Sequence, residues 1–167
     1  VTPTHQLPAI VSALRRARAH GFDRPIVWNC GGYESVEALR LLDGIVDVYL
    51  PDLKHGTDDE GKLTGVPDYW TRAQDAIREM HRQVGDLDDR PSGVSTRGLL
   101  VRHLVLPDDA ARSESVVRFL ADLAPATALN VMGQYQPVFQ LVGHSRLGRR
   151  VTGDEVRRVL DRARELG

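Results

Sequence analysis

The sequence predicts an α/β protein organised around a parallel sheet, and three observations lead to this prediction. Short apolar segments alternate with amphipathic segments of helical periodicity along the chain. The connections between successive apolar segments are too long for hairpins, which indicates parallel strands joined by right-handed crossovers. A helical segment precedes the first strand. The simplest description is therefore an α/β unit that lacks its first strands.

The helices are predicted from their apolar stripes and from the residues that begin or end them. The first helix ends at Gly21, and its stripe consists of Leu7, Ile10, Val11 and Leu14. The later helices begin at candidate N-caps, namely Ser35, Asp68, Ser113 and Thr152. The last of these has Glu155 three residues further on, which is the spacing of a capping box.

Four strands are predicted between these helices, within residues 26–30, 46–54, 99–106 and 129–132. The second strand opens with Val46, Val48 and Leu50 on one face and with Asp47 and Tyr49 on the other. Residues 55–67 are predicted as a loop, and the polar residues 86–96 as an exposed insertion. Four parallel strands do not close a barrel by themselves.

Composition restricts the classes of function. The 167 residues are enough for one domain with a core, and contents of 41% hydrophobic and 27% charged residues are typical of globular proteins. A net charge of −1 gives no overall attraction to nucleic acid or to an anionic membrane. No apolar run approaches a membrane span and no signal peptide is recognisable, so a cytoplasmic location is expected. Cys30 is the only cysteine, which excludes a disulfide framework or a cysteine-based metal site within these residues.

The strongest candidate site lies at the end of the second predicted strand. The side chains of this strand alternate between its two faces, and the same alternation continued beyond Leu50 places Asp52 and Lys54 on the apolar face at the C-terminal end. Charged groups that leave an apolar face need to pair or to hold a ligand. In parallel α/β proteins the C-terminal ends of strands are also where ligands bind.

Other predicted strands end in polar residues as well. Asn29 ends the first strand, and Gln134 and Tyr135 follow the fourth. On the third strand Arg102 shares a face with three leucines, whereas His103 faces the other way. Each also has a structural interpretation, such as a turn hydrogen bond, an ion pair with Asp52 or a buried histidine. Several strands that supply polar groups to one cleft are a stronger indication than any one residue.

From the residues alone, three functions remain open. Lys54 is placed to act as a Schiff-base lysine of an aldolase or lyase, with Asp52 as its proton partner. Alternatively Asp52, Lys54 and Arg102 bind a zwitterionic cofactor or substrate that carries a carboxylate. The third interpretation is a non-catalytic fragment that serves as a binding module.

Several stretches resemble one family when taken in their order and spacing. They are residues 1–5 (VTPTH), 29–33 (NCGGY), 49–54 (YLPDLK), 80–86 (MHRQVGD), 97–107 (RGLLVRHLVLP) and 130–135 (NVMGQY). Together they resemble the C-terminal two thirds of a radical S-adenosylmethionine protein, in the group related to pyruvate formate-lyase activating enzyme. The resemblance covers nearly the whole chain.

The resemblance implies a fold and a reaction. Residues 1–167 are then a single incomplete α/β barrel domain, with about four βα units of a six-unit parallel barrel. The implied cofactors are S-adenosylmethionine and a [4Fe-4S] cluster, and the implied reaction is reductive cleavage of S-adenosylmethionine to a 5′-deoxyadenosyl radical. The implied partners are a protein substrate of the glycyl-radical type and an electron donor.

The resemblance also implies roles for individual residues at strand ends. The residues implied to contact the cofactor or substrate are Asn29, Asp52, Lys54, Arg102, Gln134 and Tyr135. Asp52 and Lys54 match an Asp-x-Lys motif near the ribose and carboxylate of the cofactor, and Arg102 matches an arginine near the same carboxylate. This assignment agrees with the zwitterion-binding interpretation rather than with the Schiff base.

The sequence departs from the family where the cluster binds. It contains neither CxxxCxxC nor the GGE motif, and residues 1–5 stand where GGE is found in other members. Cys30 matches no cluster ligand. We therefore expect that this chain alone does not assemble the cluster or form the radical.

Overall fold

The computed structural model describes residues 2–88 and 93–167. In these residues a parallel sheet forms in the order β1-β2-β3-β4, so that strands adjacent in sequence are adjacent in space. The strands are β1 (Val27–Cys30), β2 (Val48–Pro51), β3 (Gly98–Leu104) and β4 (Ala128–Met132). Sequential parallel order requires a crossover between each pair of strands, as the alternation of segments predicts.

Helices precede, connect and follow these strands. They are α1 (Leu7–Ala19), α2 (Val36–Arg40), α3 (Asp58–Leu63), α4 (Tyr69–Val84), α5 (Ser113–Leu123) and α6 (Gly153–Leu166). Short 3-10 turns occupy Thr4–Gln6, Pro107–Asp109 and Phe139–Leu141. None of the helices in the described ranges is long and apolar enough to cross a membrane.

The two faces of the sheet differ in burial. One face packs on the helices, where Tyr49 and Leu99 are fully buried against Ile77 and Met80 of α4. Each such aliphatic side chain contributes about 1.5–3 kcal/mol to stability on burial. The other face is open: Val27 is 55% exposed, and the β3 positions that alternate with buried ones are only partly buried. The open face is the one that presents polar side chains at the strand ends.

The prediction of an α/β protein with a parallel sheet is confirmed. Thr152 and Glu155 form the predicted capping box at the start of α6. The assignment to four units of a six-unit barrel stays a prediction. Part of the predicted exposed insertion, residues 89–92, lies outside the described residues.

Two local predictions were wrong, and a third is confirmed in position only. Helix α3 lies within the predicted loop 55–67, where the Thr57 side chain caps the Glu60 N–H and acidic residues fill the first turn. Ser113 is the first residue of α5 rather than its cap, because its N–H is bound by the Asp109 carboxylate. Asp68 occupies the cap position of α4, but its carboxylate binds Tyr33 and Arg72 instead of a helix N–H.

The burial of the second strand also differs from the prediction. The face of Tyr49 and Leu53 is the fully buried one, because α4 packs on it. On the opposite face Val48 is buried, Leu50 is partly exposed and Asp52 lies beyond it. The face predicted to be a buried stripe therefore opens toward the end of the strand. As a result the Asp52 and Lys54 side chains are 25% and 51% exposed.

Candidate functional site

The ends of β1, β2 and β3 bring three of the predicted residues together. Asp52 pairs with Arg102 in an isolated parallel bridge, and both lie on the open face. The Arg102 Nη2 atom lies 2.7 Å from Asp52 Oδ1 and donates to Asn29 Oδ1, also at 2.7 Å. Lys54 joins them, with its Nζ atom 3.4 Å from Asp52 Oδ2. Matched strand register thus creates a connected polar cluster from residues far apart in sequence.

This polar cluster carries more positive than negative charge. One carboxylate, Asp52, stands between two cations, Arg102 and Lys54. The Arg102 side chain is only 23% exposed, and its buried Nε atom has no hydrogen-bond partner among the described residues. A buried donor without a partner is costly, and a guanidinium suits a carboxylate geometrically. The cluster is therefore suited to an anionic or zwitterionic group.

A pocket of about 320 Å³ adjoins the polar cluster. Asp52, Lys54 and Arg102 contribute polar walls. The apolar wall is formed by Leu104, Leu106, Ala110, Met132, Leu141 and Leu147. This volume and this mixture of a few charges with a largely apolar surface are typical of sites for small molecules.

The structure places the two candidates after β4 differently. Tyr135 lines the pocket, and its hydroxyl donates to the Leu147 carbonyl at 2.8 Å, which fixes the loop that closes the apolar wall. Gln134 is exposed and does not line this pocket, and its Nε2 atom lies 3.7 Å from Met132 Sδ. Met132, the last residue of β4, also lines the pocket, so continued strand alternation would have placed Gln134 there instead of Tyr135, and the chain leaves the strand geometry after Met132. The pocket therefore includes Tyr135 and leaves Gln134 outside.

Two residues that the sequence did not single out also line the pocket. They are His55 and Thr64, whose Nε2 and Oγ1 atoms are 3.2 Å apart. His55 is 5% exposed, and burial lowers the pKa of its imidazole. Its neutral form is therefore favoured. Both residues flank α3, the helix that was predicted as a loop, and the Thr57–Glu60 capping pattern is the signal that reveals this helix.

A second polar group lies at the end of β1. The Thr4 hydroxyl donates to Glu34 Oε1 at 2.6 Å, and it lies 2.7 Å from the Thr2 hydroxyl. Burial raises the pKa of the Glu34 carboxyl. Burial, aided by the nearby Glu34, also raises the pKa of the Cys30 thiol to about 12. The Cys30 thiol therefore retains its proton at neutral pH.

Potential metal ligands do not gather into a site in the part of the chain that the structure describes. Within residues 2–88 and 93–167 no group of three or more His, Cys, Asp or Glu side chains converges as a metal site would require. The polar cluster itself pairs its one carboxylate with two cations.

Comparisons with known proteins give a distant relative. No family model matches the sequence. The chain is 30% identical over 158 residues to an uncharacterized protein of Methanocaldococcus jannaschii, an alignment that covers 93% of this chain and 43% of the archaeal protein. The chain thus spans less than half the length of this relative.

Proposed function

We propose that this chain is the cofactor- and substrate-facing part of a radical S-adenosylmethionine enzyme of the activating-enzyme-like kind. The observation that carries the proposal is the polar cluster of Asn29, Asp52, Lys54 and Arg102 beside the pocket. The sequential order of the parallel strands and the open face support the accompanying proposal, a segment of about four βα units from a six-unit barrel.

S-adenosylmethionine fits the residues that are present. Its methionyl group is a zwitterion, and its nucleoside offers hydroxyls and a largely apolar surface. Lys54 and Arg102 would hold the carboxylate through their cationic head groups. Asp52 would accept hydrogen bonds from ribose hydroxyls or from the methionyl ammonium. When bound, this cofactor supplies the 5′-deoxyadenosyl group from which the family forms its radical.

The [4Fe-4S] cluster does not fit these residues. Three thiolates are needed by the family motif, and this chain has a single cysteine whose buried thiol keeps its proton. No step is therefore assigned to a cluster on this chain. The proposal for the chain itself is limited to binding and orienting the cofactor. A glycyl-radical-type protein substrate and an electron donor are the partners that the proposal entails.

Equilibrium binding to the 167-residue chain tests the proposal. Calorimetry with S-adenosylmethionine and with 5′-methylthioadenosine, which lacks the amino-acid group, isolates the contribution of the zwitterion. We expect Arg102→Gln and Lys54→Met each to weaken S-adenosylmethionine binding by about 10-fold or more, while affinity for 5′-methylthioadenosine changes little. Each lost contact is a hydrogen bond or ion pair to a charged group.

The chain offers a matched control for the lysine variant. Lys62 is the other lysine, and it is 62% exposed and paired with Asp59 away from the pocket. Lys62→Met is expected to leave both affinities unchanged. No binding of S-adenosylmethionine to a chain with native circular dichroism, or equal losses for both ligands in Arg102→Gln, would contradict the proposal.

A Schiff-base lyase is the second candidate, because Lys54 lines the pocket beside a carboxylate. Lysines of this type are usually activated by desolvation or a second cation, whereas Lys54 is 51% exposed and paired with Asp52. Borohydride trapping with pyruvate, followed by mass spectrometry of the peptides, separates the candidates. An adduct on Lys54 and not on Lys62 would support the lyase. Absence of an adduct leaves cofactor binding as the function, or, if S-adenosylmethionine also fails to bind, a non-catalytic binding module.

A further inference from the structure

Residues 52–54, termed the site segment below, follow the end of β2 and carry the charged side chains of Asp52 and Lys54. Regular pairing holds its first part, since Asp52 N–H donates to the Cys30 carbonyl at 3.0 Å and Leu53 N–H to the Arg102 carbonyl at 2.8 Å. Beyond these bonds the segment leaves the sheet. Three further backbone groups of the segment are bound by side chains from α4 and β3.

Tyr69, the first residue of α4, is one of these side chains. Its hydroxyl accepts the Lys54 N–H at 2.9 Å. It also lies 2.9 Å from the Asp52 carbonyl oxygen and 3.1 Å from that of Gly31, which share its proton. Tyr69 is 3% exposed, and burial raises the pKa of its hydroxyl, so the proton is retained. One hydroxyl thus connects the turn after β1 to both ends of the site segment.

His103 on β3 holds the middle of the site segment. Its Nδ1 atom lies 2.6 Å from the Leu53 carbonyl oxygen, and its Nε2 atom lies 2.9 Å from the Ser113 hydroxyl. Because a carbonyl only accepts, Nδ1 carries the proton and Nε2 accepts from Ser113. His103 is fully buried, and burial lowers the pKa of its imidazole, which favours this neutral form.

We infer that Tyr69 and His103 are positioning residues that hold the site segment so that Asp52 meets both Lys54 and Arg102 at the pocket. Their side chains bind the backbone of residues 52–54, and neither side chain lines the pocket. The role in ligand binding rests on the proposed function. The role in holding the segment does not, since it follows from the hydrogen bonds alone.

Tyr69→Phe tests the first contact against a matched variant. Tyr49→Phe also removes a buried hydroxyl, one that donates to Gln83 Oε1 at 2.6 Å on the covered side of the sheet. After correction for global stability, we expect the Lys54 amide to exchange at least about 10-fold faster with solvent in Tyr69→Phe. In Tyr49→Phe the same amide should change by less than about 2-fold.

The same pair of variants tests the consequence for binding. We expect Tyr69→Phe to weaken S-adenosylmethionine binding by about 10-fold and Tyr49→Phe by less than about 2-fold. If Tyr49→Phe weakens binding as much as Tyr69→Phe does, general destabilisation is the cause and the positioning role is wrong.

His103 is tested by a conservative rescue. His103→Asn retains a side-chain N–H near the position of Nδ1, whereas His103→Leu retains none. We expect His103→Leu to speed exchange of the Lys54 amide by about 10-fold and to weaken S-adenosylmethionine binding by about 10-fold. His103→Asn should restore most of both properties. Should His103→Leu fail to fold, Ser113→Ala replaces it, because it removes the hydroxyl that orients the His103 ring, and unchanged Lys54 exchange in Ser113→Ala would overturn the role of His103.

The outcomes separate the two proposals. If the wild-type chain does not bind S-adenosylmethionine, the proposed function fails, and amide exchange still decides whether Tyr69 holds the segment. If Lys54 exchange is the same in Tyr69→Phe and Tyr49→Phe, the positioning role is overturned whatever the affinity. If exchange rises but affinity is unchanged, the segment is held by Tyr69 but its position does not govern binding, which also overturns the inference.

Discussion

At the residue scale, the site depends on Gly32, although this residue contributes no side chain to it. Gly32 has a φ of +79°, and a Cβ atom there would overlap the Asp52 carbonyl oxygen. The turn after β1 therefore passes directly against the backbone that carries Asp52. Glycine is required for two reasons: the backbone adopts the left-handed conformation, and the two backbone segments approach each other closely.

The two requirements are separable by experiment. Gly44 has a similar φ of +73°, but a Cβ atom at that position would meet nothing within 4 Å. Gly44→Ala should cost about 1 kcal/mol of unfolding free energy from backbone strain alone. We expect Gly32→Ala to cost about 3 kcal/mol or more, because the neighbouring peptide must also move. Urea denaturation measures the unfolding free energy of both variants. Equal losses would mean that the backbone at Asp52 moves away from Gly32 at little cost.

At the element scale, the C-terminal half of α4 joins the helices to the sheet through a polar network that is buried at Glu79 and Gln83 and exposed at Arg82. Arg82 binds Glu79 through two hydrogen bonds of 2.9 and 2.8 Å and also binds Asp43 at 2.6 Å. Gln83 connects Glu79 to the Tyr49 hydroxyl and to the Leu39 carbonyl. This network fixes α4, and α4 in turn carries Tyr69 at its other end.

The network should make stability depend on pH. The hydrogen bonds from Arg82 lower the pKa of Glu79 to about 2. Because the folded pKa lies below the unfolded one, the contribution of Glu79 is present above about pH 4.5 and is lost as the pH falls toward 2. We expect Glu79→Gln to lower the unfolding free energy by about 2 kcal/mol at pH 7 and by much less near pH 2.

Denaturation of the Glu79→Gln variant across this pH range is the measurement. Glu37→Gln, at an exposed position in α2, serves as the control and should behave as the wild type does. A difference between Glu79→Gln and the wild type that stays constant from pH 7 to pH 2 would show that shape, and not charge, is what the network requires.

At the scale of the whole molecule, the sheet has one covered face, one open face and an exposed edge at β1. In the described residues β1 pairs only with β2, and Val27 on it is 55% exposed. An unpaired strand edge with an exposed apolar side chain is prone to pair with other chains. The architecture that leaves the pocket accessible thus also leaves a surface available for self-association.

We therefore expect the 167-residue chain to associate in a concentration-dependent manner, and Val27→Lys to weaken this association by about 10-fold or more. Val142→Lys introduces the same charge at a residue that is 67% exposed, but in the loop after β4. Sedimentation velocity compares the variants. Equal effects of both lysines would assign the association to net charge rather than to the β1 edge.

Local pattern predicted much of this architecture. The alternation on β3 placed Arg102 and His103 on opposite faces, and the burial of these residues agrees. The same reasoning selected Asp52 and Lys54 at a strand end, where Asp52 pairs with both Lys54 and Arg102. It missed α3 because that helix is short and lacks an apolar stripe, so that only its capping residues reveal it.

Local sequence pattern is enough to predict the parallel α/β organisation, the capping box of α6 and the alternation of side chains along each strand, because these depend on neighbours within a few positions. Tertiary structure alone decided which of these residues share a pocket. Tyr69 reaches the site segment across 17 positions and His103 across 50, and the loop residues Leu141 and Leu147 close the apolar wall. Such contacts follow from how the elements pack, which periodicity along the chain does not encode.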